Sequence, residues 1–86
     1  MKIEWDAEKD AANLTKHGIS LAEAARMDWA GGVHEADGRL DYGEERLVLY
    51  ALMAARMYAC VYTYRAGVTR IISLRKANRR EIRQHG

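Results

Sequence analysis

The strongest constraint on the fold is a run of residues that is apolar on both of its faces. Residues 57–64 carry apolar or aromatic side chains at every position except Thr63. A strand is covered on both faces only inside a sheet, so this run predicts a central strand. Arg65-Ala66-Gly67 follows it and predicts a hairpin turn into a further strand over residues 68–75. The second half of the chain therefore predicts an antiparallel sheet.

Three weaker strand signals lie earlier in the chain. Residues 45–53 are rich in Leu, Val and Tyr, which favour strands. Residues 33–35 predict a short strand that ends at the turn signal Asp37-Gly38. Residues 2–5 predict a short first strand.

The first third of the chain carries helix signals instead. Asp6 is a good N-cap, and Gly18 suits the left-handed position that often follows a helix. Together they predict a helix over residues 7–17, with Ala11 and Leu14 on its inward face.

Two more helices are predicted from capping motifs. Ser20 with Glu23 forms a capping box, so a second helix should begin there and end near residues 27–29. Asn78 with Glu81 is the corresponding motif with an Asx cap, and it predicts a short last helix.

This order of elements predicts an α+β fold in a single domain over residues 1–86. We expect an antiparallel sheet of three to four strands, with the two N-terminal helices on one face and the short C-terminal helix at the end. The other sheet face should then be available to a ligand. The chain has no proline and no repeat, so no linker is predicted.

Several kinds of site are disfavoured by composition. The single cysteine, Cys60, lies in an apolar run, which favours a buried thiol over a nucleophile. His17, His34 and His85 are widely spaced, and no metal-binding or phosphate-loop motif is present. We therefore expect no cofactor and no metal. No apolar stretch is long enough for a membrane span or a signal peptide, so we expect no membrane partner and a cytoplasmic location.

Charge is distributed unevenly along the chain. Residues 1–64 contain 7 Lys/Arg against 11 Asp/Glu, whereas residues 65–86 contain 7 Lys/Arg against the single Glu81. Six of the seven late basic residues are arginines, which bind phosphate in a bidentate manner. A solvated basic tail is the alternative, but the pattern favours a site for a polyanion.

RNA cleavage is a reaction that such a surface could support. The substrate carries its own nucleophile, the 2′-hydroxyl, so the enzyme needs a base, an acid and cations around the phosphate. Strand alternation places Ser73 and Arg75 on one face together with Thr69 and Ile71. The first turn of the last helix then adds two cations near the positive end of its dipole, Arg79 and Arg80.

The sequence also resembles a known family, the BrnT toxins, over nearly its whole length. Glu4-Trp5-Asp6 is similar to their opening E/D-W-D, and residues 13–24 are similar to N-x-x-K-H-G-hydrophobic-S/D-F-x-E-A. Residues 43–46 resemble G-E-x-R, residues 63–65 resemble T-x-R, and residues 70–81 resemble R-I-I-S-x-R-x-A-x-x-x-E. The early K-H-G together with the late R-I-I-S-x-R is the specific part of the pattern.

This resemblance implies a RelE-like toxin fold and ribonuclease activity. It also implies a BrnA-type antitoxin partner, with operator DNA bound only through the toxin–antitoxin complex. Two departures concern packing: Leu21 replaces the usual Phe, and the Asp-Pro that commonly follows the second helix is missing. The chain also stops soon after Glu81, which predicts a short final helix.

The candidate site residues follow from these two arguments. The expected catalytic residues are His17, Arg75, Arg79 and Arg80, and the expected RNA-binding residues are Lys16, Arg65, Arg70, Ser73 and Lys76. For His17 the alternative is an interaction with the helix C-terminus, and for Arg70 it is an ion pair with an acidic helix residue. Tyr62 and Tyr64 could stack on bases, although packing against the sheet is the favoured interpretation.

Two other functions fit the same basic surface. One is a nucleic-acid-binding module that does not cut, and the other is an interaction protein whose basic face binds an acidic partner. Cleavage of RNA in the presence of a chelator would separate the toxin from both of them.

Overall fold

The computed structural model describes residues 1–41 and 43–86, without the side chains of residues 39–41. Two α-helices, one 3₁₀ helix and five strands are present in these residues. In chain order they are β1 (Ile3–Trp5), α1 (Ala7–His17), the 3₁₀ helix (Leu21–Arg26), β2 (Val33–Asp41), β3 (Glu44–Met53), β4 (Arg56–Arg65), β5 (Val68–Lys76) and α2 (Arg79–His85). The α+β class predicted from the sequence is confirmed.

The described strands form one sheet in the order β1-β5-β4-β3-β2, so the strand predicted to be central does lie in the middle. Four strands pair in antiparallel fashion. β1 pairs with β5 in parallel, with Ile3 opposite Thr69 and Trp5 opposite Ile71. The prediction of three to four antiparallel strands is therefore wrong: the sheet has five described strands and is mixed. Two parallel strands need a long connection, and β1 and β5 have one, because all the elements from α1 to β4 lie between them in the chain.

The turn predicted at Asp37-Gly38 is also absent, because β2 continues through it. Gly38 has a φ of +80°, and the register with β3 shifts between Ala36 and Leu40. A glycine in the left-handed region within a strand is typical of a bulge. The residues Asp37-Gly38 therefore mark a bulge inside a longer strand and not a turn at its end.

The limits of α1 agree with the prediction. The Asp6 carboxylate accepts a hydrogen bond from the Glu8 N–H at 2.7 Å, and Gly18 has a φ of +72° with its N–H donating to the Leu14 carbonyl. The predicted inward face is wrong, since Ala11 is exposed and Leu14 is 53% exposed. The buried residue of α1 is a polar one, Asn13.

The second predicted helix is a 3₁₀ helix, and its capping box does not form. The Ser20 hydroxyl donates to the Asp10 carboxylate at 3.0 Å and accepts from the Ala22 N–H at 3.3 Å. Glu23 forms an ion pair with Arg26 at 2.8 Å, within the same short helix. The tighter 3₁₀ turn still places Leu21 and Ala24 in the core.

The main core lies between one face of the sheet and the 3₁₀ helix. Its buried members come from the 3₁₀ segment and from the three inner strands: Leu21, Ala24, Met27, Leu49, Ala51, Met53, Cys60, Tyr62, Ile71 and Leu74. Leu21 is completely buried, so the residue that replaces the family's usual Phe fills its place in the core.

The helix α2 packs on the opposite face of the sheet. Tyr50 and Arg75 both lie opposite Ala59, on the face away from the main core, and both contact residues of α2. The helix α2 thus covers one end of the second sheet face, whereas the sequence predicted that this face would be available to a ligand. No helix in the described part of the chain is long and apolar enough to cross a membrane.

Candidate nucleic-acid interface

A bulge in β5 determines which of its side chains face solvent. Tyr62 pairs with Ile71 and Val61 pairs with Ser73, so Ile72 is an extra residue between them. Ile71 therefore shares the core face with Leu74, whereas Ser73 and Arg75 lie on the opposite face. The expectation that Thr69 and Ile71 share a face with Ser73 and Arg75 is wrong, because it assumed an unbroken alternation.

The second half of α1 is held beside β5 by Asn13. β1 covers the edge of β5 only as far as Ile71. Beyond that point the Leu74 N–H donates to Asn13 Oδ1 at 3.1 Å, and Asn13 Nδ2 donates to the carbonyls of Leu74 at 2.8 Å and Ile19 at 2.9 Å. The amide thus satisfies three backbone groups and fixes the position of α1 against the strand.

A cleft of about 200 Å³ opens between α1 and the bulge of β5. The side that α1 provides carries two lysines and a histidine, and the strand provides Ser73. Its lining residues are Lys9, Ala12, Asn13, Lys16, His17, Ile72 and Ser73. Three of the predicted site residues, Lys16, His17 and Ser73, are therefore brought together.

Lys9 was missed by the sequence analysis. It lies seven residues before Lys16, two helical turns away, and so falls on nearly the same side of α1. The signal that could have found it is this helical spacing relative to the Lys-His pair.

Arg75 lies two residues beyond Ser73 on the same strand face, but its guanidinium is engaged. It donates to both carboxylate oxygens of Glu81, at 2.8 and 2.9 Å, and Glu81 also accepts from the Asn78 N–H at 2.9 Å. The hydrogen bond from Arg75 is the main cause that lowers the pKa of Glu81 from 4.5 to about 2. The same bond raises the pKa of Arg75.

This ion pair holds α2 on the sheet. The predicted capping motif is confirmed, because the Asn78 side chain also accepts from the Glu81 N–H at 2.9 Å. Glu81 is buried, whereas the Arg75 side chain is 38% exposed. Arg75 therefore has a structural partner on one side and solvent on the other.

Two further residues complete this contact and were not predicted as site residues. The Tyr50 ring stacks on the His85 ring with centroids 4.2 Å apart and planes at 16°. His85 Nε2 lies 3.7 Å from a carboxylate oxygen of Glu35. Burial, and then the charge of Glu81, raise the pKa of the Tyr50 hydroxyl.

The remaining basic candidates do not line the cleft. Arg70 donates to Glu4 at 2.6 Å, so its partner is on β1 and not on a helix as expected. Arg65 forms an ion pair with Glu44 across the sheet. The other three are exposed around the start of α2: Lys76, Arg79 and Arg80.

The tyrosines of β4 divide into a buried and an exposed residue. Tyr62 is 2% exposed, lies edge-on to Trp29 at 5.0 Å, and places its hydroxyl 2.6 Å from His34 Nδ1. Burial is the main cause that raises the pKa of Tyr62 to about 12. Tyr62 is therefore a packing residue, while Tyr64 is 57% exposed.

Comparison with known proteins gives one family. Residues 5–81 match the family model described as the ribonuclease toxin, BrnT, of type II toxin–antitoxin systems. No curated protein matches the chain. The matched segment includes α1, β5 and Glu81, and therefore the whole cleft and the α2 anchor.

Proposed function

Because this chain belongs to the BrnT family of ribonuclease toxins of type II toxin–antitoxin systems, we propose that it is an endoribonuclease that needs no metal ion. RNA is then its substrate, and the 2′-hydroxyl of the RNA is the nucleophile. The observation that carries this proposal is the cleft in which Lys16, His17 and Ser73 meet.

The reaction assigns a role to each of these groups. His17 takes the proton from the 2′-hydroxyl, since imidazole is the side chain best suited to proton transfer near neutral pH. The 2′-oxygen bonds to phosphorus, and the bond to the 5′-oxygen breaks. Lys16 and the Ser73 hydroxyl bind the phosphate oxygens, on which charge increases. The departing 5′-oxygen takes a proton from solvent water, leaving a 2′,3′-cyclic phosphate and a 5′-hydroxyl.

The arginines support the same chemistry at larger distance. Arg75, whose side chain is 38% exposed, adds charge on the strand face that carries Ser73, and Arg79 and Arg80 add charge at the start of α2. Arg65 and Arg70 each have a carboxylate partner, so we propose that they and Lys76 bind the RNA backbone weakly.

The chemistry of the cleft lining supports the absence of a metal step. Among the described lining residues none is a carboxylate, and Lys9 and Lys16 contribute two ammonium groups. Divalent cations that act on phosphates prefer oxygen ligands such as carboxylates, and positive side chains repel them.

The test is cleavage of a long RNA by purified protein in excess EDTA. We expect cleavage that leaves cyclic phosphate or 3′-phosphate ends, and a loss of roughly 10²–10⁴-fold in kcat for His17→Ala. Thr15→Ala is the matched control, because Thr15 is exposed on the same helix and does not line the cleft. Ends with a 3′-hydroxyl, a strict need for Mg²⁺, or full activity of His17→Ala would contradict the proposal. Binding without cleavage would favour a nucleic-acid-binding module.

The antitoxin is the second partner that family membership implies. We propose that it is of the BrnA type, that it covers the basic segment from Arg65 to Arg83, and that operator DNA is bound only through the complex. Occlusion of the RNA-binding surface would then inhibit the toxin. Amides after Arg75 should exchange more slowly in the complex, and association should slow as salt shortens the Debye length from about 10 Å to about 3 Å. Equal exchange and salt-independent kinetics would place the antitoxin elsewhere.

A further inference from the structure

A second pocket, of about 280 Å³, opens at the end of the sheet that lies away from α2. β3 and β4 provide its lining, which consists of Glu44, Glu45, Leu47, Thr63 and Tyr64. Leu47 pairs with Tyr62, which belongs to the main core. Strand alternation therefore places Glu45 and Tyr64 on the core face as well. Both of these residues are exposed, so this end of the core face is open to solvent.

The ring of Tyr64 forms an aromatic wall of this pocket. It lies nearly perpendicular to the buried ring of Tyr62, with centroids 5.6 Å apart and planes at 83°. This contact supports the Tyr64 ring from the core, while more than half of the residue stays exposed. An exposed aromatic ring is the usual platform on which the unpaired bases of single-stranded RNA stack.

The two carboxylates of the pocket differ in their contacts. Glu44 forms an ion pair with Arg65, whereas Glu45 is exposed beside Tyr64. A carboxylate can only accept hydrogen bonds, and it repels phosphate. The pocket therefore suits the edge of a base that offers donors and does not suit the RNA backbone.

Hydrogen-bond chemistry narrows the choice of base to one. The Watson–Crick edge of guanine carries two adjacent donors, N1–H and the N2 amino group, which match the two oxygens of a carboxylate. Adenine, cytosine and uracil each place an acceptor beside their donor, and that acceptor would face the carboxylate. A carboxylate next to an aromatic platform thus favours guanine.

We propose that Tyr64 and Glu45 form a guanine-binding subsite, in which the base stacks on Tyr64 and donates to the Glu45 carboxylate. The proposal rests on the proposed function, because it takes single-stranded RNA as the ligand. Tyr64 pairs with Thr69, three residues before Ile72 of the cleft, or about 10 Å along β5. The subsite and the cleft would therefore hold different nucleotides of one RNA strand, and the subsite selects the RNA without taking part in proton transfer.

The experiment measures binding and not cleavage, so that the two proposals can fail separately. The probes are short 2′-O-methyl oligouridylates, which lack the nucleophile, with one central uracil replaced by guanine, hypoxanthine or adenine. Hypoxanthine keeps the N1–H of guanine but lacks its amino group. Dissociation constants are measured by fluorescence anisotropy for wild type, Glu45→Gln, Tyr64→Phe and Tyr64→Leu. Glu8→Gln is the control, since Glu8 is exposed, carries the same charge and does not line the pocket.

Wild type and Glu8→Gln should bind the guanine probe about tenfold more tightly than the adenine probe, with the hypoxanthine probe between them. Glu45→Gln should bind the guanine and adenine probes equally, because an amide replaces one of the two acceptors with a donor. Tyr64→Phe should keep the affinity for the guanine probe, since the ring remains. Tyr64→Leu should weaken that affinity by about tenfold.

The subsite is refuted if wild type binds all probes equally, which is the result expected if the pocket instead takes a basic side chain of a partner protein. It is also refuted if Glu8→Gln loses the preference as Glu45→Gln does, or if Tyr64→Leu binds guanine as well as Tyr64→Phe. A guanine preference without any cleavage of ordinary RNA in EDTA would retain the subsite and reject the proposed reaction. Cleavage in EDTA without a guanine preference would do the reverse.

Discussion

The side-chain amide of Asn13 binds the backbone of Leu74 as a neighbouring strand would. The Leu74 N–H donates to Oδ1 at 3.1 Å, and Nδ2 donates to the Leu74 carbonyl at 2.8 Å. A side chain thus continues, for one residue, the edge pairing that β1 begins. The same contact builds the cleft, because it places the second half of α1 against β5.

Replacing Asn13 with alanine should therefore affect both stability and activity. The change leaves three backbone groups without their partner, at Leu74 and Ile19, and buried groups in that state are costly. We expect the free energy of unfolding to fall by about 2–3 kcal/mol in urea titrations. Thr15→Ala, on the exposed side of α1, should change it by less than about 0.5 kcal/mol. Equal stability of the two variants would show that the amide contact contributes little.

The contact between Arg75 and Glu81 predicts a specific dependence of stability on pH. The folded state lowers the pKa of Glu81 from 4.5 to about 2, so the stabilisation is fully present above pH 4.5 and is lost as pH falls toward 2. Because Arg75 is 38% exposed, we expect a contribution of roughly 1–2 kcal/mol.

The comparison to make is wild type against Glu81→Gln, by urea unfolding between pH 2 and pH 6. The glutamine keeps the shape of the side chain but cannot titrate. The difference in unfolding free energy should be largest near pH 6 and should shrink below pH 4. A difference that stays constant over this range would mean that the carboxylate charge contributes nothing.

The arginines of the basic segment should separate into two groups. Arg79 and Arg80 are exposed, so changing either to alanine should relieve toxicity without lowering the unfolding temperature. Because both lie outside the cleft, the expected loss of transition-state stabilisation is smaller than the roughly 2.7–4 kcal/mol that removal of a direct contact costs. Arg75→Ala should in addition lower stability, by about 1–3 kcal/mol, because it leaves buried Glu81 without its ion pair. Normal growth arrest by both exposed variants would identify Arg79 and Arg80 as ordinary solvated residues.

The turn between β3 and β4 should be open to stabilisation. Ala54 and Ala55 have φ values of +52° and +65°, a conformation that strains a residue with a Cβ. Asn-Gly is the pair preferred for such a turn, so Ala54→Asn combined with Ala55→Gly should raise stability by about 1 kcal/mol. Ala55→Val should have the opposite sign. Thermal unfolding of the three proteins would measure this, and an unchanged midpoint in both variants would disprove the expectation.

Local signals in the sequence were sufficient for several elements. Asp6 and Gly18 defined both ends of α1, and Asn78 with Glu81 defined the start of α2, because a cap acts within one turn of its own helix. The continuous apolar run of residues 57–64 identified the central strand for a similar reason, since a strand that is buried on both faces has apolar side chains at successive positions.

Long-range relations could not be obtained in this way. The parallel pairing of Ile3 with Thr69 depends on residues far apart in the chain, and three residues carry little pattern. The bulge at Ile72 reverses the face of every later residue in β5, yet nothing local distinguishes it. Leu14 suggested the buried face of α1, but the hydrogen bonds of Asn13 determine it.

The sequence indicated which residue types could form the candidate site, but it did not indicate how the fold arranges them. Lys16, His17 and Ser73 were expected, but only the fold brings them into one cleft. The spacing of charges along a strand also could not reveal that Glu81 engages Arg75.

The pairing of β5 with the first residues of the chain has a consequence for synthesis on the ribosome. The two walls of the cleft come from opposite ends of the sequence, and the contact between Asn13 and Leu74 joins residues 61 positions apart. A chain that emerges N-terminus first can form α1 early, but it has no cleft until β5 has also emerged. If RNA is cut at this cleft, as proposed above, the nascent chain gains that activity only after β5 has emerged and has paired with the N-terminal elements.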